Sequence, residues 1–522
     1  MRIKILPWLL IWVLFFGAGA FAQTAQLEVS AVTFSIHPKV GSPSTSSRTG
    51  HKIKSVYGDL KNTILLLKDD DEQVCLFTTP LALVNEKAFD YISGKLSALL
   101  NIPKEAVIIN SSHDHTVPTV DFLLSEMPDQ SSPEYLTWEL GKEFETEIEK
   151  ATEKLSKEST PVTVEWGVAE ENRITYNRKG YREDGRSYFV REEDRLNIEG
   201  KGYHGVIDPD AAVVIFKDVD AKPIAAISFF TGHPVAAYNP EKLISYGQFP
   251  QLGSEILSEH LGGAPVAFVQ GCAGNINSKH MLTGTIEQAR ELGEQLGESL
   301  ILATTRLKPS KRSGIELKQI IVKVPLNELP SEAQLRKDLE RIDDFIKRGN
   351  DGDENTLECI GMNFPKALSP PYRAKLVDMV RPWYVWALEQ HTTFNLNNIP
   401  DELPVPMVVA RFGDVGFVGL PYEAFVETGL KIKREADLPY VLTCGYTNGA
   451  YGYIPDAKGA DDMEYMSGNY RYRPGLFKEW MSRKDSVPAD LYNAHRYCPP
   501  YKAPAGDAFA IDAIDILSGM AR

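Results

Sequence analysis

Apolar runs of strand length alternate along this chain with long amphipathic stretches, and that alternation restricts the fold more than any other feature. Residues 62–68, 107–110, 211–216, 224–230 and 266–270 are short runs bounded by polar or turn-forming residues, the pattern of buried strands. Residues 80–100, 132–157, 285–307 and 330–347 place apolar side chains three and four apart, which predicts helices with one buried face. Strands interleaved with such helices predict an α/β fold. Residues 407–412 and 415–420 form a predicted hairpin around Gly413-Asp414, where glycine supplies the positive φ of a tight turn. A helix over 422–435 is expected next, and another over 508–517. No internal repeat or low-complexity linker stands out, so one large domain is expected, with the Gly- and Asp-rich 348–354 as a surface loop.

The first residues carry a compartment signal. Arg2 and Lys4 precede an apolar run from Ile5 to Phe16, and Ala20-Phe21-Ala22 reads as a cleavage site. Residues 1–22 are thus expected to be a signal peptide on an exported chain, periplasmic or secreted, that starts at Gln23. The run is shorter than the roughly 20 apolar residues a membrane span needs. Removing Arg2 and Lys4 takes two positive charges from a net of −15 and leaves about −17, a balance that disfavours nucleic acid as a partner. Cys75, Cys272, Cys359, Cys444 and Cys498 are too sparse for a disulfide framework or a thiolate zinc site, and most are expected in the core.

Chemistry-bearing residues gather where predicted strands end. His113 and His115 follow the 107–110 run, and if the strand continued their imidazoles would share a face, as a divalent metal or an acid/base pair requires. His233 follows the 224–230 run beside Gly232, at the kind of strand end where α/β proteins collect functional groups. Residues 271–278 are small and could bring backbone amides to a phosphate or line a narrow pocket, and Cys272 within them is a weak nucleophile candidate. Glu423 is expected in the first turn of a helix, as a dipole partner or as the carboxylate beside two histidines of a hydrolytic zinc set. The loop 445–455 is dense in glycine and tyrosine, whose hydroxyls can bind metal, donate to an oxyanion or wall a pocket.

These segments, in this order, resemble the neutral/alkaline non-lysosomal ceramidases. Ser111-Ser112-His113-Asp114-His115-Thr116 resembles that family's Thr-His-Thr-His-Ser-Gly segment, and Tyr176-Asn177-Arg178 followed by Asp184-Gly185 resembles its Asn-Arg and Asp-Gly segment. Ile207-Asp208-Pro209-Asp210, Gly232-His233-Pro234, 270–277, 420–426 and 448–455 follow in the family's order, across roughly 26–520. The resemblance implies a single large domain over 23–522, of mixed β-sheets flanked by helices, like the N-terminal domain of neutral ceramidases. It implies one Zn2+ held by His113, His233, Glu423 and a loop tyrosine, Tyr453 in preference to Tyr451. It gives His115 the acid/base role, places Arg178 near the substrate's polar head, and leaves Tyr451 as a catalytic hydroxyl. The implied activity is cleavage of an N-acyl amide, ceramide or a related lipid, by a metal-activated water, with peripheral membrane contact. The same scaffold acting on another amide or ester, or binding lipid or glycan without turnover, is the alternative. The position of the family's proposed serine nucleophile is expected to be Asn277 here, and no immunoglobulin-like domain is expected after 508–517. The resemblance therefore implies the zinc chemistry more directly than the substrate.

Overall fold

A computed structural model describes residues 27–44, 52–70, 72–123, 126–155, 157, 159–185, 187–191, 205–282, 284–393, 396–460, 462, 465 and 499–522. The expected signal peptide and Cys498 lie outside these residues. The fold is mixed α/β, with several mixed sheets flanked by helices.

One topological unit occurs three times. In the first, β1 (Glu28–Ile36), β2 (Leu60–Lys68) and β3 (Gln73–Thr79) run antiparallel. Helix α1 (Glu86–Leu100) then crosses over and returns β4 (Val107–Ser111) parallel to β3. The spatial order is β4-β3-β2-β1, and α2 (Pro133–Leu155) packs on β1. The second unit repeats this with β5 (Thr163–Glu170), β6 (Asp210–Lys217), β7 (Pro223–Phe230), crossover helix α3 (Gln248–His260) and parallel β8 (Val266–Gln270). Its outer helix is α4 (Ile286–Thr304), packed on β5. In the third, β9 (Ile315–Pro325) is followed by an inserted helical layer of α5 (Glu332–Asn350), α6 (Pro370–Asp378) and α7 (Arg381–Thr392). Then come β10 (Glu402–Phe412), β11 (Val415–Gly419), crossover helix α8 (Val426–Glu435), parallel β12 (Tyr440–Cys444) and outer helix α9 (Asp507–Met520). This corrects the expectation of no internal repeat. The units share hydrogen-bond topology and the burial it imposes, while their insertions differ in length and content, so no residue period survives.

The inner faces of the three sheets share one core. Leu65 and Leu76 of the first, Phe216 and Phe229 of the second and Phe412 and Phe417 of the third belong to a single buried cluster. Each such side chain contributes about 1.5–3 kcal/mol on leaving water. At one end of this core the returning strands meet: Asn110 bridges Thr447, and Gly271 bridges Cys444. The carboxyl ends of the parallel pairs are therefore brought together, which is where open α/β sheets place ligands.

Local signals shift several expected boundaries. The Asn85 side chain accepts the Ala88 N–H at 2.9 Å, so α1 starts at Glu86 and 80–85 stays outside it. The hairpin forms as expected, with Gly413 at φ 62° joining Phe412 to its partner Val415. The helix expected over 422–435 begins only at Val426, because Glu423–Ala424 pair in parallel with Tyr453–Ile454. The loop expected at 348–354 is helical to Asn350. Cys75, Cys272, Cys359 and Cys444 are free and buried, as a core role requires. Among the described residues no helix is long and apolar enough to cross a membrane.

Candidate metal centre

His113 leaves β4 with a left-handed backbone, φ 61°, unusual for a residue other than glycine. The strand ends at Ser111, so the argument that extended backbone aligns the two imidazoles does not hold. The rings meet edge-on instead, with centroids 4.7 Å apart and planes at 89°, and His115 Nε2 lies 3.1 Å from His113 Nε2. Asp114 closes the turn by accepting both the backbone N–H and the hydroxyl of Thr116 at 2.7 Å. Burial pushes the Asp114 carboxyl up to about 7 against these hydrogen bonds.

Each of two histidines rests one ring nitrogen on a backbone carbonyl. His113 Nδ1 is 2.5 Å from Ala82 O, and His233 Nδ1 is 3.0 Å from Ile276 O. A proton on Nδ1 in both would leave each Nε2 lone pair free for an ion, the arrangement metal-binding histidines adopt. Both Nε2 atoms converge on one oxygen: Glu423 Oε2 lies 3.2 Å from that of His113 and 3.1 Å from that of His233. Burial opposes ionisation of Glu423, but the two imidazoles outweigh it and hold the carboxyl well below its ordinary value. Burial, helped by the charge of Arg178, lowers His233 to about 4, so its ring is neutral near pH 7.

The small residues after β8 serve this packing. A Cβ on Gly274 would lie 2.3 Å from Glu423 O, so only glycine lets the loop lie against the Glu423 strand. The loop's backbone amides turn inward: Gly274 N–H donates to Ala424 O at 2.8 Å, while Ile276 O accepts the His233 N–H at 2.9 Å. The phosphate reading of 271–278 finds no support in this geometry. Cys272 is buried with its thiol pushed up to about 12 by desolvation, the opposite of a nucleophile's environment.

Tyr453 lies beside His233, rings nearly parallel at 17° and 6.4 Å between centroids. Its hydroxyl accepts a hydrogen bond from Arg178 Nη2 at 3.1 Å. Arg178 is buried and its guanidinium is occupied by the protein: Nη2 also donates to Gly274 O at 2.7 Å, Nη1 to Asn277 Oδ1 at 3.1 Å, and Nε to Tyr465 Oη at 3.0 Å. Arg178 is thus a hub holding two tyrosines, and Asn277 is one of its partners. Tyr465 carries no sequence signal of its own, lying past the Gly-Tyr loop between Glu464 and Met466 in no recognisable motif. Tyr451 packs edge-on against Tyr422 at 5.6 Å within a hydrophobic cluster. Tyr446, at φ 52°, stacks on His113 with centroids 4.5 Å apart, and its buried hydroxyl has no hydrogen-bond partner among the described residues.

The donor set fits a divalent cation. Ligand nitrogens of His113, His115 and His233 all lie within 4.8 Å of one another, with the Glu423 carboxylate against two of them. Imidazoles plus one carboxylate suit several divalent ions, zinc among them, and the carbonyls behind His113 and His233 supply the outer contacts such ligands need.

No family model matches the chain, and no curated protein matches it. Solved structures do. The fold matches a structure described as neutral ceramidase from Pseudomonas aeruginosa, with a TM-score of 0.57 at 15% identity, over 95% of this chain and 75% of that one. A structure described as ceramidase complexed with C2 matches with a TM-score of 0.56 at 15% identity, over 93% of this chain and 78% of that one. The chain therefore has a ceramidase-like fold.

Proposed function

We propose that this chain is an exported zinc-dependent hydrolase that cleaves an N-acyl amide bond of ceramide or a related lipid. The observation that carries the reading is the convergence of His113 Nε2 and His233 Nε2 on a single oxygen of Glu423, at 3.2 and 3.1 Å. The ceramidase-like fold supports the substrate class. His113, His233, Glu423 and Tyr453 would hold the ion. A second set, with His115 in place of Tyr453, is favoured by the mutual approach of the three imidazoles.

Zinc at this place supplies an acidified water, with a pKa lowered from 15.7 towards about 7, and an electrophilic contact for a carbonyl oxygen. The residues around it do the rest. His115 is only half-buried and takes the proton of the attacking water, then returns it to the amide nitrogen as the C–N bond breaks and the C–O bond forms. The products are a carboxylic acid and an amine. Tyr446 offers its unpartnered hydroxyl to the oxygen that gains charge. Arg178, already making four hydrogen bonds, orients Tyr453 and Tyr465 and adds positive potential without leaving its own partners.

Elemental analysis of the purified chain combined with a ceramide hydrolysis assay tests the reading. Stoichiometric zinc, ceramide turnover, and loss of both in His113→Ala are expected. A metal-free wild type, or full metal and activity in His113→Ala, overturns it.

A further inference from the structure

We propose that Gln270 and Gln248 are positioning residues that set the spacing of the two histidine loops; this rests on the metal-dependent reading above. His113 and His233 come from different sheets, so no continuous ladder fixes one relative to the other. Two buried glutamines span the gap. Gln270, the last residue of β8, spends both amide hydrogens on backbone carbonyls: Nε2 donates to Ser112 O and to Gly232 O, each at 2.8 Å. These are the residues immediately before His113 and His233. Its Oε1 also accepts the Gly232 N–H at 3.3 Å.

Gln248, at the start of α3, grips the residues that follow the same histidines. The two hydrogens of its Nε2 are shared among Asp114 Oδ1 at 2.7 Å, Thr116 Oγ1 at 3.0 Å and Pro234 O, while its Oε1 accepts the Ala237 N–H at 3.0 Å. Each histidine is thus held through its preceding residue by one glutamine and through its following residue by the other. Gln248 does this from φ 35°, a backbone cost that the surrounding contacts must sustain. The third unit is stitched in by the same seam. Gln270 N–H donates to Asn110 Oδ1 at 2.8 Å, and Asn110 Nδ2 donates to Gly445 O at 2.8 Å, directly before Tyr446.

Hydrogen bonds elsewhere in the core would serve stability alone, whereas these act across the line along which the ligand loops meet. Outer contacts that orient ligands are typically worth about 10–100-fold in metal affinity. The test measures zinc affinity by chelator competition, together with the thermal unfolding of the metal-free protein, in wild type, Gln270→Met, Gln248→Met and a control, Ser254→Ala. Ser254 makes a buried hydrogen bond to Ser228 at 2.9 Å within the second unit. Both glutamine variants are expected to fold and to bind zinc at least about tenfold more weakly. The control is expected to lose stability and keep wild-type affinity. Affinities within twofold of wild type in the glutamine variants overturn the proposal while leaving the hydrolase reading intact. A wild type that binds no zinc overturns both. If one glutamine variant does not fold, the affinity of the other decides.

Discussion

Glu423 and Tyr453 are direct partners in a two-residue parallel bridge, so the carboxylate that meets both histidines and the phenol beside His233 are set by one backbone register. The Glu423 N–H donates to Gly452 O at 2.9 Å, which locks the approach of the Gly-Tyr loop. Removing the phenol oxygen should leave this bridge intact. Tyr453→Phe is expected to fold normally, to bind zinc at least about tenfold more weakly and to lose turnover in step, on the scale of a lost ligand-orienting group. Unchanged zinc affinity by chelator competition would give the fourth position to His115.

Tyr446 separates packing from chemistry. Its ring stacks on His113, while its hydroxyl is buried without a partner among the described residues, a state that costs about 1–3 kcal/mol. Tyr446→Phe keeps the stack and removes the orphan group, so the metal-free protein should be as stable as wild type or more so. Turnover should fall by about 10²–10³-fold with zinc content unchanged, as for loss of one oxyanion donor. Chemical denaturation and steady-state kinetics on one preparation check both halves, and an unchanged kcat would remove Tyr446 from the reaction.

Lys433 is the cation of a buried cluster, with Nζ 2.7 Å from Asp208 and 2.8 Å from Asp210. Burial alone would lower its pKa, but the two carboxylates outweigh that and raise it. Lys433→Met leaves two carboxylates uncompensated and is expected to cost about 3–5 kcal/mol near neutral pH. A change under 1 kcal/mol by urea titration would contradict this.

Glu427 gives a pH-dependent test away from the ligands. Burial, reinforced by Asp456, raises its pKa, while Asn275 Nδ2 donates to it at 2.8 Å. A folded-state pKa above the unfolded value means the native state holds the proton more tightly. The contribution to stability is then present in full below pH 4.5 and is lost as pH rises through the folded pKa. Glu427→Gln should be more stable than wild type near pH 8, and the advantage should shrink as pH falls towards 4.5. Melting curves across that range check it; an advantage that grows on acidification would reverse the sign.

Much of this architecture was legible where local periodicity and burial agree. The 266–270 run is strand β8 to the residue, and the strand ends at His113, His233 and Glu423 do meet. What was not legible depends on long-range pairing. Glu423 reads as a helix start because hydrophobic periodicity continues through it, yet its backbone is claimed by Tyr453 from a distant loop. The Gly-Tyr loop is legible as a source of hydroxyls, but which of its tyrosines stacks on His113 is not, and Tyr465 carries no local signal, since these contacts exist only after the loops close. The threefold recurrence is invisible for the same reason: it is written in which strand bonds to which.

That recurrence has a consequence for how such a centre can diversify. The last cross-strand pairs of the three parallel couples are Thr79 with Ser111, Phe230 with Gln270 and Gly419 with Cys444. Counting on from the second member of each, His113, Cys272 and Tyr446 occupy corresponding places. An assembly of three identical subunits would be obliged to present the same side chain at all three. A single covalent chain is free of that obligation, so one place can hold an imidazole, another a sealed thiol and the third a phenol, and the asymmetry that acid/base chemistry demands comes from breaking an equivalence that the strand order still keeps.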